Sequence, residues 1–394
     1  MMRQIKAIWH EPVRKGELVG IQYLRGFAVV GVALAHGISM GGFDKYFGEL
    51  AFGGRFSSAA VGVDLFFVIS GFIISIVSLK SNSLDPRMSV GAFLWRRFVR
   101  IIPLMWIAIL SYAALRYAAR GELNIDGYIR ALTLWPFGSV DPNPIWSLRR
   151  EWIFYFLFAA CMMVSSKRMS RHTWIVLLWC FLPLLADHFR DTENVDTLEN
   201  TIVGVIFHPS NVQFGLGLLL GLAYLRRPDW FSGRQIGRFG FWICGGLALL
   251  IYISAGVGNL TSHLAINTLT LGLICCGAVA ASIFVGSEEG VWSRIGRMLG
   301  DASFSIYLFH FHFESALLGV WAKLAPHTPV EIVVTVVVIA AIVAGVFIHY
   351  LVERPLLAGM RHLGGLRRSP APSPAVPVVQ LSPGDGDMGR SFNP

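Results

Sequence analysis

Charge is scarce in this chain: 14% of its 394 residues are charged and 54% are hydrophobic, and the mean hydropathy is +0.58. Soluble domains carry about 25% charged residues, so this composition excludes an ordinary soluble domain and requires an apolar solvent for much of the surface. Cysteine is scarce too. The five (Cys161, Cys180, Cys244, Cys275, Cys276) fall within long apolar stretches without metal-type spacing, which argues against a disulfide framework and a zinc site. Internal repeats are missing, and this counts against a transporter built from duplicated halves. Acidic residues are in deficit, 24 against 33 Lys and Arg, for a net charge of +9. The basic residues are spread over separate short loops, so no nucleic-acid-binding surface is expected. The charge reads as topology, with some attraction to anionic lipid or to a polyanionic cosubstrate.

What the chain has instead is apolar length. Ten stretches are candidates to cross about 30 Å of hydrocarbon: 24–42, 60–79, 98–118, 152–165, 173–187, 201–225, 239–257, 262–285, 302–322 and 329–352. The predicted fold class is therefore all-α, a polytopic membrane helix bundle. With the N-terminus cytoplasmic, Arg3, Lys6, Arg14 and Lys15, then Lys80, Arg87, Arg96 and Arg97, then Lys167, Arg168 and Arg171, then Arg226, Arg227, Arg234 and Arg238 all fall inside. The loop after the fifth stretch holds Asp187, Asp191, Glu193, Asp196 and Glu199. This alternation obeys the positive-inside rule for an even number of spans with both termini cytoplasmic. Residues 1–20 are expected as a cytoplasmic segment, 21–356 as the membrane domain, and the Pro-rich residues 357–394 as a disordered cytoplasmic tail. Ala33-Leu-Ala35 mimics a signal-peptidase site, but cleavage there would discard a helix carrying unusual polar groups.

Those polar groups carry the functional argument, because ionisable residues within a membrane helix are functional candidates by default. Arg25 and His36 share the first stretch, eleven residues apart, so they project from nearly the same helix face about 16 Å apart along the axis. Asp64, near the outer end of the second stretch, is placed to orient His36; capping its own helix or pairing with an outer arginine is the structural alternative. Arg97 and Arg100 share a helix face where the third stretch enters the membrane, and guanidinium groups suit phosphates. Trp146, Glu151 and Tyr155 open the fourth stretch on the expected outer side, with Arg149 and Arg150 as possible neutralisers of Glu151. The ninth stretch runs Ser303-Phe-Ser305-Ile-Tyr307-Leu-Phe-His310-Phe-His312-Phe-Glu314, and its polar groups must face the bundle interior or water. Either His310 or His312 has a direct chemical role or serves packing.

Taken in order, six segments resemble the membrane acyltransferase family 3 proteins, bacterial enzymes that O-acylate surface polysaccharides and related glycans. They are Ile21-Gln-Tyr-Leu-Arg25-Gly with His36 eleven residues after the arginine, Gly62-Val-Asp64-Leu-Phe-Phe-Val-Ile-Ser70-Gly71-Phe, Arg97-Phe-Val-Arg100 followed by Pro103, Trp146-Ser-Leu-x-x-Glu151-x-x-Phe-Tyr155, Ser303-Phe-Ser305-Ile-Tyr307-Leu-Phe-His310, and Glu353-Arg-Pro355. The opening segment looks most like the branch that modifies exopolysaccharides.

The resemblance implies a ten-helix core in the bacterial inner membrane that takes an acyl group from cytoplasmic acyl-CoA, usually acetyl-CoA, to a sugar hydroxyl at the outer face. It implies no tightly bound cofactor and no metal. The expected roles are Arg25, Arg97 and Arg100 on the donor phosphates, His36 as general base oriented by Asp64, Glu151 at the acceptor, and Trp146, Tyr155, Tyr307 and His310 as substrate contacts. A transient acyl-histidine is the competing route. Some relatives carry a fused periplasmic hydrolase-like domain, and this chain is expected to act without one. A transporter or flippase of a polysaccharide precursor and a non-catalytic scaffold are the alternative function classes; independence from acyl-CoA would distinguish the first, and tolerance of His36→Ala the second.

Overall fold

The computed structural model describes residues 18–81, 83–164, 169–186, 201–231, 265–285 and 290–363, with residues 243, 246 and 250 besides. They are overwhelmingly helical. In chain order the helices are α1 (Val19–Gly41), α2 (Gly62–Ser78), α3 (Val90–Arg120), α4 (Ile125–Thr133), α5 (Ile145–Val164), α6 (Met169–Ala186), α7 (Ile202–Ile206), α8 (Ser210–Arg226), α9 (Ala265–Ser282), α10 (Val291–Leu324), α11 (Val330–Ile348) and α12 (Arg354–Leu363). In hydrocarbon a helix satisfies its backbone groups within itself, which is why apolar length turns into helix here.

Helices stand at nine of the ten expected places among the described residues, and the seventh stretch, 239–257, lies largely outside them. Among the described residues five segments are long and apolar enough to cross a membrane: Val19–Gly41, Ser57–Ser78, Val90–Arg120, Val203–Arg226 and Val330–Met360. α5 and α10 are more polar, with Arg149, Arg150 and Glu151 in the first and His310, His312 and Glu314 in the second. Two boundaries differ from expectation. α3 begins at Val90, capped by the Ser89 hydroxyl accepting from the Ala92 N–H at 3.3 Å, so Arg97 and Arg100 project from within a helix. The junction expected at residue 356 falls inside α12, which continues to Leu363; residues 364–394, like 1–17, lie outside the described residues.

α1 runs through the middle of the bundle, packed on α2, α9, α10 and α11, while α2 packs most extensively on α8. Glycine permits the two tightest approaches. A side chain on Gly217 would start 2.0 Å from the Val68 carbonyl oxygen, and one on Gly300 would start 2.1 Å from that of Gln22. Small residues of this kind let membrane helices pack backbone to backbone. Gly217→Ala is accordingly expected to force α8 from α2 and destabilise the protein by about 1–3 kcal/mol, read as a lowered thermal midpoint of the purified protein in detergent.

Candidate active site

Six of the expected site residues line one cavity of about 330 Å³: Arg25 from α1, Arg97 and Arg100 from α3, Glu151 and Tyr155 from α5, and Tyr307 from α10. Arg25 Nη1 donates to Gln22 Oε1 at 3.0 Å, one helical turn away. The Arg97 guanidinium lies 5.0 Å from the Tyr155 ring centre and 5.5 Å from that of Phe93, a cation held by aromatic faces. Arg25 and Arg100 are within electrostatic reach of one another. Glu151 is the one carboxylate in the lining, and its Oε1 accepts from Ser70 Oγ at 2.7 Å and from the Tyr155 hydroxyl. None of the three cavity arginines has an ion pair among the described residues. Three cations converge on a space lined by one hydroxyl-bound carboxylate, with Asp301 and Glu353 also within electrostatic reach of Arg25; like charges repel strongly where the dielectric is low, and an anionic ligand relieves the repulsion among the arginines.

Glu151, expected at the acceptor, shares this cavity with the arginines, and Tyr155, expected as a substrate contact, lines it too. The physical reason is depth. α5 starts at Ile145, so Glu151 lies six residues, about 9 Å, into the helix, where it meets Ser70 from the interior of α2. Arg149 does not neutralise it, because its Nη1 donates to the carbonyls of Trp135 and Gly138 at 3.1 and 2.7 Å.

His36 and His310 form a second centre. Their ring centres are 5.2 Å apart, with Phe311 edge-on to His36 at 5.8 Å. His310 Nδ1 lies 2.7 Å from the Tyr307 carbonyl oxygen. A carbonyl can only accept, so Nδ1 carries the proton and Nε2 of the neutral ring is bare. His312 behaves differently: its Nε2 lies 2.8 Å from the Ala108 carbonyl oxygen and 3.2 Å from Ser111 Oγ, which fastens α10 to α3. The two histidines that sequence leaves equivalent are therefore separated, one facing His36 and one serving packing.

Asp64 does not orient His36, since no hydrogen bond or ion pair joins them among the described residues. Its helix crosses α1 lower down. A side chain on Gly62 would start 2.5 Å from the Ala28 carbonyl oxygen, and Ala28 is eight residues, about 12 Å, short of His36. Trp146 is not itself in the cavity lining but packs behind it, its ring 6.1 Å from that of Phe67, a lining residue, and 5.8 Å from His208.

Tyr307 connects the two centres. Its hydroxyl donates to the Pro144 carbonyl at 2.8 Å and lies 2.6 Å from Ser147 Oγ, while its ring is 5.9 Å from that of His310. It forms cavity wall on one side and histidine support on the other. Sequence reasoning nominated neither Ser70 nor Gln22, the partners of Glu151 and Arg25. The i, i+3 spacing of Gln22 and Arg25 is the signal from which one of these pairs was readable, whereas Ser70 and Glu151 are 81 residues apart and meet only across helices.

Residues 18–351 match the family described as the acyltransferase domain. The chain is 26% identical over 323 residues to the exopolysaccharide production protein ExoZ of Rhizobium meliloti (strain 1021), covering 77% of this chain and 92% of that protein. It is 25% identical to the acyltransferase MdmB of Streptomyces mycarofaciens, covering 93% and 97% of the two. It is 26% identical over 185 residues to the putative peptidoglycan O-acetyltransferase YrhL of Bacillus subtilis (strain 168), covering 41% and 26%. No solved structure matches the chain.

Proposed function

We propose, on the premise that this chain belongs to the acyltransferase domain family and is an acyltransferase, that it moves an acetyl group from acetyl-CoA to a sugar hydroxyl of an exopolysaccharide or related surface glycan. The observation that carries the reading is the continuity of the two centres: an anion site of three unpaired arginines opens on a cavity whose wall residue, Tyr307, packs on the histidine that packs on His36. Bidentate guanidinium groups bind phosphate strongly, and CoA carries its phosphates at the end remote from the thioester. Donor phosphates held by Arg25, Arg97 and Arg100 leave the slender arm to run through the apolar part of the cavity, along Ile69, Ile73 and Leu148. The sugar acceptor is supported by the names of ExoZ and YrhL.

In this reading His36 takes the proton of the acceptor hydroxyl as the oxygen attacks the thioester carbon, since an imidazole titrates near neutrality and a sugar hydroxyl does not. The carbon–oxygen bond forms, the carbon–sulfur bond breaks, and the imidazolium returns the proton to the departing thiolate. Glu151, Ser70 and Tyr155 shape the donor cavity. The multi-pass chain then lies in the bacterial inner membrane with the arginine end toward the cytoplasm and ten spans in all.

The test compares surface glycan from cells with and without the protein by proton NMR. O-acyl signals are expected only where the protein is present and acyl-CoA is available. Glycan that reaches the surface unmodified, in a host that supplies both substrates, overturns the proposal in favour of a transporter.

A further inference from the structure

On the face of α10 that meets α1 at Gly37, the residue after His36, lies a carboxyl group that the proposed reaction has not used. Glu314 of α10 is completely buried, and neither of its carboxyl oxygens has a hydrogen-bond partner among the described residues. Its carboxyl carbon lies 4.0 Å from the point where a side chain on Gly37 would begin, and Gly37 follows His36 directly. Around it are Val334 and Val338 of α11, which meet that same point at 3.5 and 2.7 Å. Burying a polar group without a partner is costly in such surroundings, and buried polar groups are nearly always paired. His310 precedes Glu314 by one helical turn on the same face of α10, and its Nε2 is likewise buried without a partner. Two buried groups without partners thus stand one turn apart on α10, His310 against His36 and Glu314 against the neighbouring Gly37, and His36 is itself half-buried.

A neutral imidazole has one N–H to offer, and an imidazolium has two. Vacant acceptors match the second state better than the first. We infer that Glu314 is a positioning residue for the transfer, holding with His310 the proton-bearing form of His36 that exists only while the acyl group is moving. The inference rests on the proposed acyl transfer. The carboxylate takes no part in bond making: the acceptor proton goes to His36 and from there to the thiolate, and Glu314 supplies the negative charge that makes the imidazolium affordable in an apolar interior. An interaction made only at that stage raises kcat without changing donor binding. Glu314 fills the role that the sequence assigns to Asp64.

The experiment uses the full-length protein in lipid nanodiscs, with labelled acetyl-CoA and surface glycan as acceptor, and compares wild type, Glu314→Gln and Glu314→Asp. Glutamine keeps the shape and removes the charge; aspartate keeps the charge on a shorter arm. Glu314→Gln is expected to lower kcat by about 10²-fold with KM and Kd for acetyl-CoA unchanged, and Glu314→Asp to recover part of the loss. Transfer by Glu314→Gln at the wild-type rate overturns the inference and leaves the acyltransferase reading standing. Loss of acetyl-CoA binding along with kcat also overturns it, marking Glu314 as a packing residue. If the wild-type protein transfers no acyl group, both proposals fall.

Discussion

His36→Gln is expected to lower kcat for acyl transfer by roughly 10²–10⁴-fold, the range that a positioned general base contributes, with acyl-CoA affinity almost unchanged. The two effects separate because the centres separate. Donor affinity resides in the arginine-lined cavity, whose lining does not include His36, whereas His36 contacts His310 and Phe311. Glutamine retains a planar polar end and avoids an empty space in the bundle, so folding is preserved. Binding of acetyl-CoA by titration calorimetry and turnover of labelled donor, measured on the same preparation, check both halves. Equal turnover in the variant would remove His36 from the chemistry and leave the cavity assignment intact.

The second large effect is expected at the other end. Arg97→Ala combined with Arg100→Ala should weaken acetyl-CoA binding by roughly 10²–10⁴-fold, taking about 1.5–3 kcal/mol for each lost charge-assisted contact. Lysine at these positions should restore only part of it, since an ammonium cannot form the planar fork. Acetylpantetheine supplies the control. It lacks the nucleotide phosphates, so its slow reaction should be the same with wild type and the double variant. A double variant that discriminates equally against both donors would show that the arginines hold the fold and not the phosphates.

Much of this arrangement was legible from composition and position. Apolar length announces helices wherever the solvent is hydrocarbon, and Arg25, His36, Arg97 and Arg100 stand out because a membrane helix excludes such residues unless they are used. What sequence did not convey was depth across the bundle. Glu151 begins an apolar stretch and so reads as a surface residue, yet α5 starts six residues earlier and carries it inside. Asp64 and His36 read as level because each lies toward the expected outer side of its own stretch, but the close approach of α2 and α1 at Gly62 and Ala28 sets the two out of register. Glu314 was visible as one more polar residue in a polar stretch. Its distinction, two carboxyl oxygens with no partner, exists only after α1, α10 and α11 have packed.

The uninterrupted course of α1 from Val19 to Gly41 has a consequence for how such a protein can vary. Substituting side chains between Arg25 and His36 changes local contacts, but adding or deleting one residue there turns His36 by about 100° and shifts it by about 1.5 Å relative to Arg25, carrying the imidazole away from α10. Loops absorb changes of length by bulging; a straight helix packed on four neighbours transmits them to its far end. The interval between these two residues is therefore closed to insertion and deletion even where almost every residue inside it is free to change.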